Sequence, residues 1–344
     1  MRRRVLMLDG SGRFSVEDQP LPEPREGEVV IEVRACCVSP GTELGSVPGR
    51  RREPNLELPP RPFGYSNAGT VVRGSGPLQA GTPVAAMGGG YALHATHALV
   101  PRNLCVPIPD GVTFEQAATN HLAATALHAV RRGEFTLGEH VAVYGLGIVG
   151  HFTTQIASMA GSHVLGVDRY PLRRERALAT GWAELVLDPL DPDFEARAAE
   201  LCRNHGFDGG VIAFGGDGVP AFKSMVRILK QSPDGHKMGR VVVVGGARIE
   251  HLFAAGLGNV DVRSSARPGP GYHDDAWEHG ADYPPVFVPW TTRRNVEECL
   301  RWMAMGRLKT EPLITHRCSL EEAPAACDLL VEQPDQALGV LLSP

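Results

Sequence analysis

"HVAVYGLGIVG", residues 140–150, decides the fold. A short β-branched run ends at Gly145, and Gly145, Gly147 and Gly150 then form Gly-x-Gly-x-x-Gly where a helix should begin. The first glycine permits a tight turn, the second lets a pyrophosphate approach the backbone of Leu146, Gly147, Ile148 and Val149, and the third allows close packing of helix on strand. The pattern alone is weak. Here a second strand, "HVLGVD", ends in Asp168, 18 residues past Gly150, where a carboxylate can accept both ribose hydroxyls of an adenosine. That carboxylate would repel a 2′-phosphate, so NAD is favoured, while Arg169, Arg173 and Arg174 keep NADP open. His151 stands in the first turn of the helix as a candidate cap.

Outward from this stretch the chain alternates. "AELVLD", "GGVIAFGG", "RVVVVGG" and "NVDVRSSA" read as third to sixth strands, with helices between them, as in parallel β-α-β units. The expected architecture is α/β, with a doubly wound parallel sheet. Ligands bind such sheets beyond the carboxyl ends of the strands, so Phe214, Gly215, Gly245, Gly246 and Ser265 join the candidate cofactor contacts.

The first 110 residues differ, with strands such as "EVVIEVRA" and "GTVVRGSG" among dense glycine and proline. At Thr113 the texture changes again. Thr113 and Gln116 have capping-box spacing, and an alanine-rich helical pattern runs on through "TNHLAATALHAVRRG". After Pro268 comes an aromatic, turn-rich stretch, a helical "TRRNVEECLRWMAMG", and a final strand. The groups between Tyr272 and Tyr283 suit either a polyhydroxylated ligand or a subunit contact.

A chain of 344 residues accommodates two domains, and 43% hydrophobic with 21% charged residues describes a folded protein. The net charge of -5 offers no electrostatic case for nucleic acid or an anionic membrane. No apolar run reaches the length of a membrane span and no signal-peptide core follows "MRRR", so a cytoplasmic location is expected. Seven scattered cysteines fit reduced thiols. The first 222 residues hold no lysine, which argues against Schiff-base chemistry there and against a Tyr-x-x-x-Lys pair.

Several stretches, "PLPEPREGEVVIEVRACCVSPGTEL", "GYSNAGTVV", "HALVPRNLCVPIPDGVTFEQAA", "LAATALHAV" and "PLITHRCSLEEA", resemble the medium-chain dehydrogenase/reductase superfamily over essentially the whole chain. The resemblance implies a β-rich, GroES-like catalytic domain of residues 1–125 with 268–344 around a Rossmann domain of residues 126–267. It also implies a homodimer or homotetramer. "VSPGTE", "GYSNAG" and "GPGYHDDAWEHGADYP" look most like a metal-lacking branch related to polyol and cyclitol dehydrogenases. Where zinc-bearing members place a cysteine and a Gly-His-Glu motif, this chain has Ser39 or Pro40, Tyr65 and Ser66. Neutral hydroxyls are poor zinc ligands, so no metal is expected.

Without a Lewis acid, hydride transfer at a carbonyl needs hydrogen-bond donors for the developing alkoxide. His121 falls near a glutamate of the polyol relatives, and an imidazole that titrates near neutrality would suit proton exchange. It can also be read as a helix residue bonded to a backbone carbonyl. Tyr65 offers a phenol, with a plain packing role as its alternative, and Ser39, Thr42 and Ser66 offer hydroxyls for a relay, with Glu43 behind them. The expected activity is zinc-independent NAD(H) oxidation or reduction of a secondary alcohol of a cyclitol, sugar or similar polyol. The alternatives are a zinc-free enone or quinone C=C reductase and a non-catalytic dinucleotide-binding protein.

Overall fold

The computed structural model describes all residues, Met1–Pro344. The chain divides into two compact units: Met1–Ala124 with Arg267–Pro344, and Thr125–Ala266. No helix is long and apolar enough to cross a membrane.

The second unit holds a six-stranded, wholly parallel sheet. In space its strands run Leu185–Leu187, His163–Val167, His140–Tyr144, Gly209–Ile212, Met238–Val244 and Asn259–Ser265. That is the order third, second, first, fourth, fifth, sixth, the doubly wound arrangement expected from the alternation. The strand His140–Tyr144 lies centrally because it is buried on both faces: Val141, Ala142 and Val143 have no exposed surface. Tyr144, Leu165, Phe194, Phe207 and Met225 belong to one apolar cluster that the flanking helices cover.

The first unit is built on a seven-stranded, mostly antiparallel sheet. The strand Glu28–Val38 pairs with Ser66–Arg73 on one side and with the last strand of the chain, Gly339–Ser343, on the other. The returning C-terminal segment therefore completes a sheet begun by the first residues. Cys36 lies opposite Asn67 in the antiparallel register, which brings the residues after Val38 and those before Ser66 to the same end of the sheet.

One element departs from the sequence pattern. The alanine-rich stretch is two helices, Phe114–Ala117 and Asn120–Gly133, rather than one. The Thr113–Gln116 capping box is present as the spacing suggests. The chain breaks at Ala118–Thr119 because side chains take over the carbonyls there. Ser66 Oγ donates to the Ala118 carbonyl at 2.7 Å, and Asn120 Nδ2 donates to Ala117 at 2.9 Å and Ala86 at 3.1 Å. Buried hydrogen bonds from a neighbouring strand replace the helical ladder, so the interruption leaves no carbonyl stranded.

Candidate active site

In the dinucleotide unit the three glycines have three different reasons. Gly145 is left-handed, with φ of +91°, and a Cβ there would lie 2.8 Å from the Phe214 ring. A Cβ on Gly150 would lie 1.7 Å from the Gly145 carbonyl oxygen, so this position admits glycine only. Gly147 is unlike both. Its φ of -69° suits any residue, and nothing of the protein lies within 4 Å of where a Cβ would stand. The fold does not need a glycine at 147, whereas a ligand pressed against the backbone does.

Gly147 is also the N-cap of the helix Ile148–Met159 and provides no side-chain cap. The first-turn N–H groups are therefore presented to an anion. Gly246, at the end of the fifth strand, likewise has nothing within 4 Å, and Gly215 and Gly245 are exposed beside it. Ser265 ends the sixth strand, buried, with its hydroxyl lacking a protein partner. Phe214 is half-buried at the end of the fourth. These residues fit a dinucleotide: an open cradle along the carboxyl ends of the strands, floored by glycine.

Asp168 accepts the Leu146 N–H at 2.7 Å on one carboxylate oxygen and the Tyr170 N–H at 2.8 Å on the other. It thus braces the glycine loop, with one lone pair left per oxygen. Arg169 and Arg173 lie over the Tyr170 ring, each 4.6 Å from its centre, and Arg174 is tied to Asp188 at 2.9 Å. His151 is not a cap. It is buried in the helix, in contact with the Arg173 backbone, and burial pushes it down to about 3.

In the first unit the structure gathers Tyr65, Ser39, Thr42 and His121. Ser39 and Thr42 lie close enough to the Tyr65 phenol for their hydroxyls to favour its ionised form. Burial, with the nearby Glu43 charge adding to it, raises that phenol well above its ordinary value, so it remains a protonated donor. The His121 ring stands edge-on to Tyr65 at 4.1 Å between centres, and Tyr272 stands edge-on to His121 at 5.9 Å.

His121 does not titrate near neutrality. Burial drives it down to about 3, and its Nδ1 lies 3.3 Å from the Tyr65 carbonyl. A carbonyl only accepts, so Nδ1 carries the proton and Nε2 is the acceptor nitrogen. The ring is a neutral hydrogen-bonding group. Ser66, the first residue of the strand, is not gathered into the pocket: its hydroxyl is fully buried and committed to Ala118.

The turn-rich stretch after Pro268 is bonded both to itself and to other loops of the first unit, with Asn103 Nδ2 donating to the Ala281 carbonyl at 3.0 Å. Tyr272 accepts the Gly89 N–H at 2.6 Å, Asp274 accepts from Tyr283 at 2.6 Å, and Glu278 accepts the His273 N–H at 2.7 Å. Of its aromatic residues, Tyr272 reaches the Tyr65–His121 cluster.

The comparisons with known proteins agree with this fold. A protein-family profile described as "Zinc-binding dehydrogenase" matches residues 149–279. A zinc-type alcohol dehydrogenase-like protein of Schizosaccharomyces pombe is 31% identical over 176 residues, which cover 48% of this chain and 53% of that protein. D-guloside 3-dehydrogenase of Escherichia coli is 27% identical over 245 residues, covering 67% of this chain and 62% of that protein. Among solved structures, a putative zinc-binding dehydrogenase from Sinorhizobium meliloti bound to NADP superposes with a TM-score of 0.77 at 22% identity, over 100% of both chains. Residues 149–279 thus match a zinc-binding dehydrogenase family, and the chain shares its fold over its full length with solved dehydrogenases. Both curated relatives are matched over less than two thirds of their own length.

Medium-chain dehydrogenases that bind zinc need thiolate, imidazole or carboxylate ligands, and the donors here do not fit a metal. Cys37 is fully buried, and burial followed by the Glu43 charge raises its thiol far above the ordinary range. No three His, Cys, Asp or Glu side chains cluster in a way that could hold an ion. The one imidazole beside Glu43 is His94, and the two already form a pair, Nε2 to Oε1 at 3.2 Å. Neither composition nor periodicity marks His94. Its only local signal is an apolar neighbourhood, "YALHA", too buried for a histidine without a partner.

These histidines give the folded protein a signed pH response. His121 and His151 have folded values near 3 against about 6.5 in the unfolded chain. Below about 6.5 the unfolded chain takes up protons that the folded chain refuses. Stability is therefore lost as pH falls from about 6.5 towards 3, by up to about 1.4 kcal/mol per pH unit per histidine. His94 has the opposite sign. Burial alone would lower it, but the Glu43 carboxylate outweighs burial and pushes it up to about 10. Its contribution is complete below about 6.5 and lost as pH rises through about 10. Urea midpoints are expected to fall from pH 7.5 to pH 5.5, and His151→Gln should flatten that fall; equal midpoints in the parent protein would contradict neutral buried imidazoles.

Proposed function

We propose that the protein is a zinc-independent, NAD(H)-dependent dehydrogenase or ketoreductase that moves hydride to or from a secondary alcohol carbon of a cyclitol, sugar or similar polyol. The observation that carries this reading is the Tyr65 phenol, protonated and close to Ser39 and Thr42, at the position where zinc-bearing relatives place a ligand. The named activity of the D-guloside 3-dehydrogenase supports a sugar-like substrate.

The dinucleotide, when bound, supplies or accepts the hydride. Gly147, Ile148 and Val149 would hold its pyrophosphate through backbone N–H groups, the Leu146 N–H being given to Asp168, and Asp168 would accept ribose hydroxyls, which favours NAD over NADP. Arg169, exposed beside Tyr170, is the residue placed to admit a 2′-phosphate. In the reducing direction Tyr65 donates a hydrogen bond to the substrate carbonyl. As hydride adds to carbon, the phenolic proton passes to the oxygen, and Thr42, which is exposed, and Ser39 return a proton from solvent. Oxidation runs the same transfers backwards. His121 fixes the Tyr65 backbone through Nδ1 and lines the pocket as a neutral acceptor.

The test is incubation with NAD or NADP and a panel of cyclitols and sugars, and with NADH and the matching ketones, alongside metal analysis. Turnover of polyols or ketones with zinc far below one per chain is the expected result. Stoichiometric zinc would overturn the metal-free chemistry, and activity confined to enones would replace it with C=C reduction.

A further inference from the structure

The pocket stands on a buried charge that the proposed chemistry does not use. Glu43 is almost wholly buried, and its Oε2 accepts the Ser39 N–H at 2.7 Å, while the Glu43 N–H donates to the Ser39 carbonyl at 3.2 Å. These reciprocal bonds close the turn Ser39–Glu43. The other carboxylate oxygen, Oε1, lies 3.2 Å from Nε2 of His94, near enough for an ion pair though off the hydrogen-bond axis.

His94 is 0% exposed and its backbone is held on both sides. Its N–H donates to Phe63 at 3.0 Å, and its carbonyl accepts from Leu6 at 2.9 Å. The Phe63 ring packs edge-on against the imidazole at 5.7 Å. Between Phe63 and Tyr65 stands Gly64, with φ of +132°, where a Cβ would lie 2.2 Å from the His94 nitrogen. The imidazole that meets Glu43 is thus built into the same backbone crossing that delivers Tyr65.

We propose that His94 and Glu43 are positioning residues: the buried imidazole–carboxylate pair fixes the turn that presents the Ser39 and Thr42 hydroxyls to the Tyr65 phenol. The physical case is the cost of the alternative. A buried carboxylate with no counter-charge costs several kcal/mol, and it escapes that cost by taking up a proton or pulling towards water. Either response slackens the Ser39 bond. The groups facing the pair are Cys36, Cys37, Tyr65, Tyr272 and Cys327, none of which carries a compensating positive charge. Glu43 lacks any other cationic partner, so His94 has no substitute. The pair touches neither substrate nor cofactor and acts only through Tyr65.

This inference rests on Tyr65 being the donor to the substrate oxygen, and the experiment separates the two. His94→Gln, Glu43→Gln, the double variant and Tyr65→Phe are compared by kcat, substrate KM, dinucleotide Kd and Tm. Each single amide variant is expected to lower kcat at least tenfold with dinucleotide Kd unchanged. The double variant, a neutral amide pair without a buried charge, should recover most of that loss. His94→Gln added to Tyr65→Phe should lower kcat no further. Should His94→Gln fail to fold, Glu43→Gln and the double variant carry the same comparison. A fall in Tm with kcat within twofold for the folded variants overturns the positioning role alone. Wild-type kcat in Tyr65→Phe overturns the reading of the site and this inference with it.

Discussion

Tyr65→Phe is expected to lower kcat by about a hundredfold, the effect of removing one preorganised donor from a developing oxyanion. The size follows from what else the pocket holds. His121 donates from Nδ1 to the Tyr65 carbonyl and, with its value near 3, carries no second proton to offer at neutral pH. Ser66 is committed to Ala118, and the Cys37 thiol is fully buried with its value raised. The Ser39 and Thr42 hydroxyls remain, but they stand behind the phenol as its relay, and an aliphatic hydroxyl gives up its proton far less readily than a phenol. The phenyl ring preserves the edge-on packing with His121, so Tm should change little and dinucleotide affinity not at all. Steady-state kinetics check this, and a kcat within twofold of the parent would mark Tyr65 as a packing residue.

The second large effect separates a glycine the ligand needs from one the fold needs. Gly147→Ala places its new methyl in open space. The protein should fold with unchanged Tm yet bind NAD at least tenfold more weakly, a loss of about 1.4 kcal/mol or more. Gly150→Ala drives a methyl to 1.7 Å from the Gly145 carbonyl, which forces the loop and its helix apart. That variant should lose both Tm and binding, since overpacking of this kind costs about 1–3 kcal/mol or more. Titration by quenching of protein fluorescence, beside thermal melts, distinguishes the pair. If Gly147→Ala binds NAD as the parent does, the pyrophosphate does not lie against that residue.

The dinucleotide unit was legible because its signals are local. The turn at Gly145 requires a positive φ, Thr113 and Gln116 lie one helical turn apart, and the strand–helix alternation repeats over short spans. Such features are set by residues within a few positions of one another, which the linear chain displays directly. The order of the six strands follows from the alternation and the handedness of parallel crossovers. The return of Gly339–Ser343 to pair with Glu28–Val38 was carried by likeness to a family rather than by any local pattern.

The candidate pocket was only half legible. The chain order shows Ser39, Thr42, Tyr65 and His121 as polar residues in suggestive positions. It does not show that of Tyr65 and Ser66, adjacent in sequence, one packs its ring against His121 while the other buries its hydroxyl against Ala118. Nor does it show the break at Ala118–Thr119, which exists because Asn120 and Ser66 reach carbonyls contributed by other elements.

By itself, then, the amino-acid order determined the class of fold and the glycine pattern of the loop after the first strand of the parallel sheet. Only the tertiary structure decided the charge states. Whether an imidazole is protonated depends on how much water surrounds it and which charge lies within a few ångströms, and both come from distant parts of the chain. His121 and His94 are the same residue type, and both are buried. One is driven to about 3 because only the Tyr65 carbonyl, and no carboxylate, opposes burial, and the other to about 10 because folding brings Glu43, 51 positions earlier, against it.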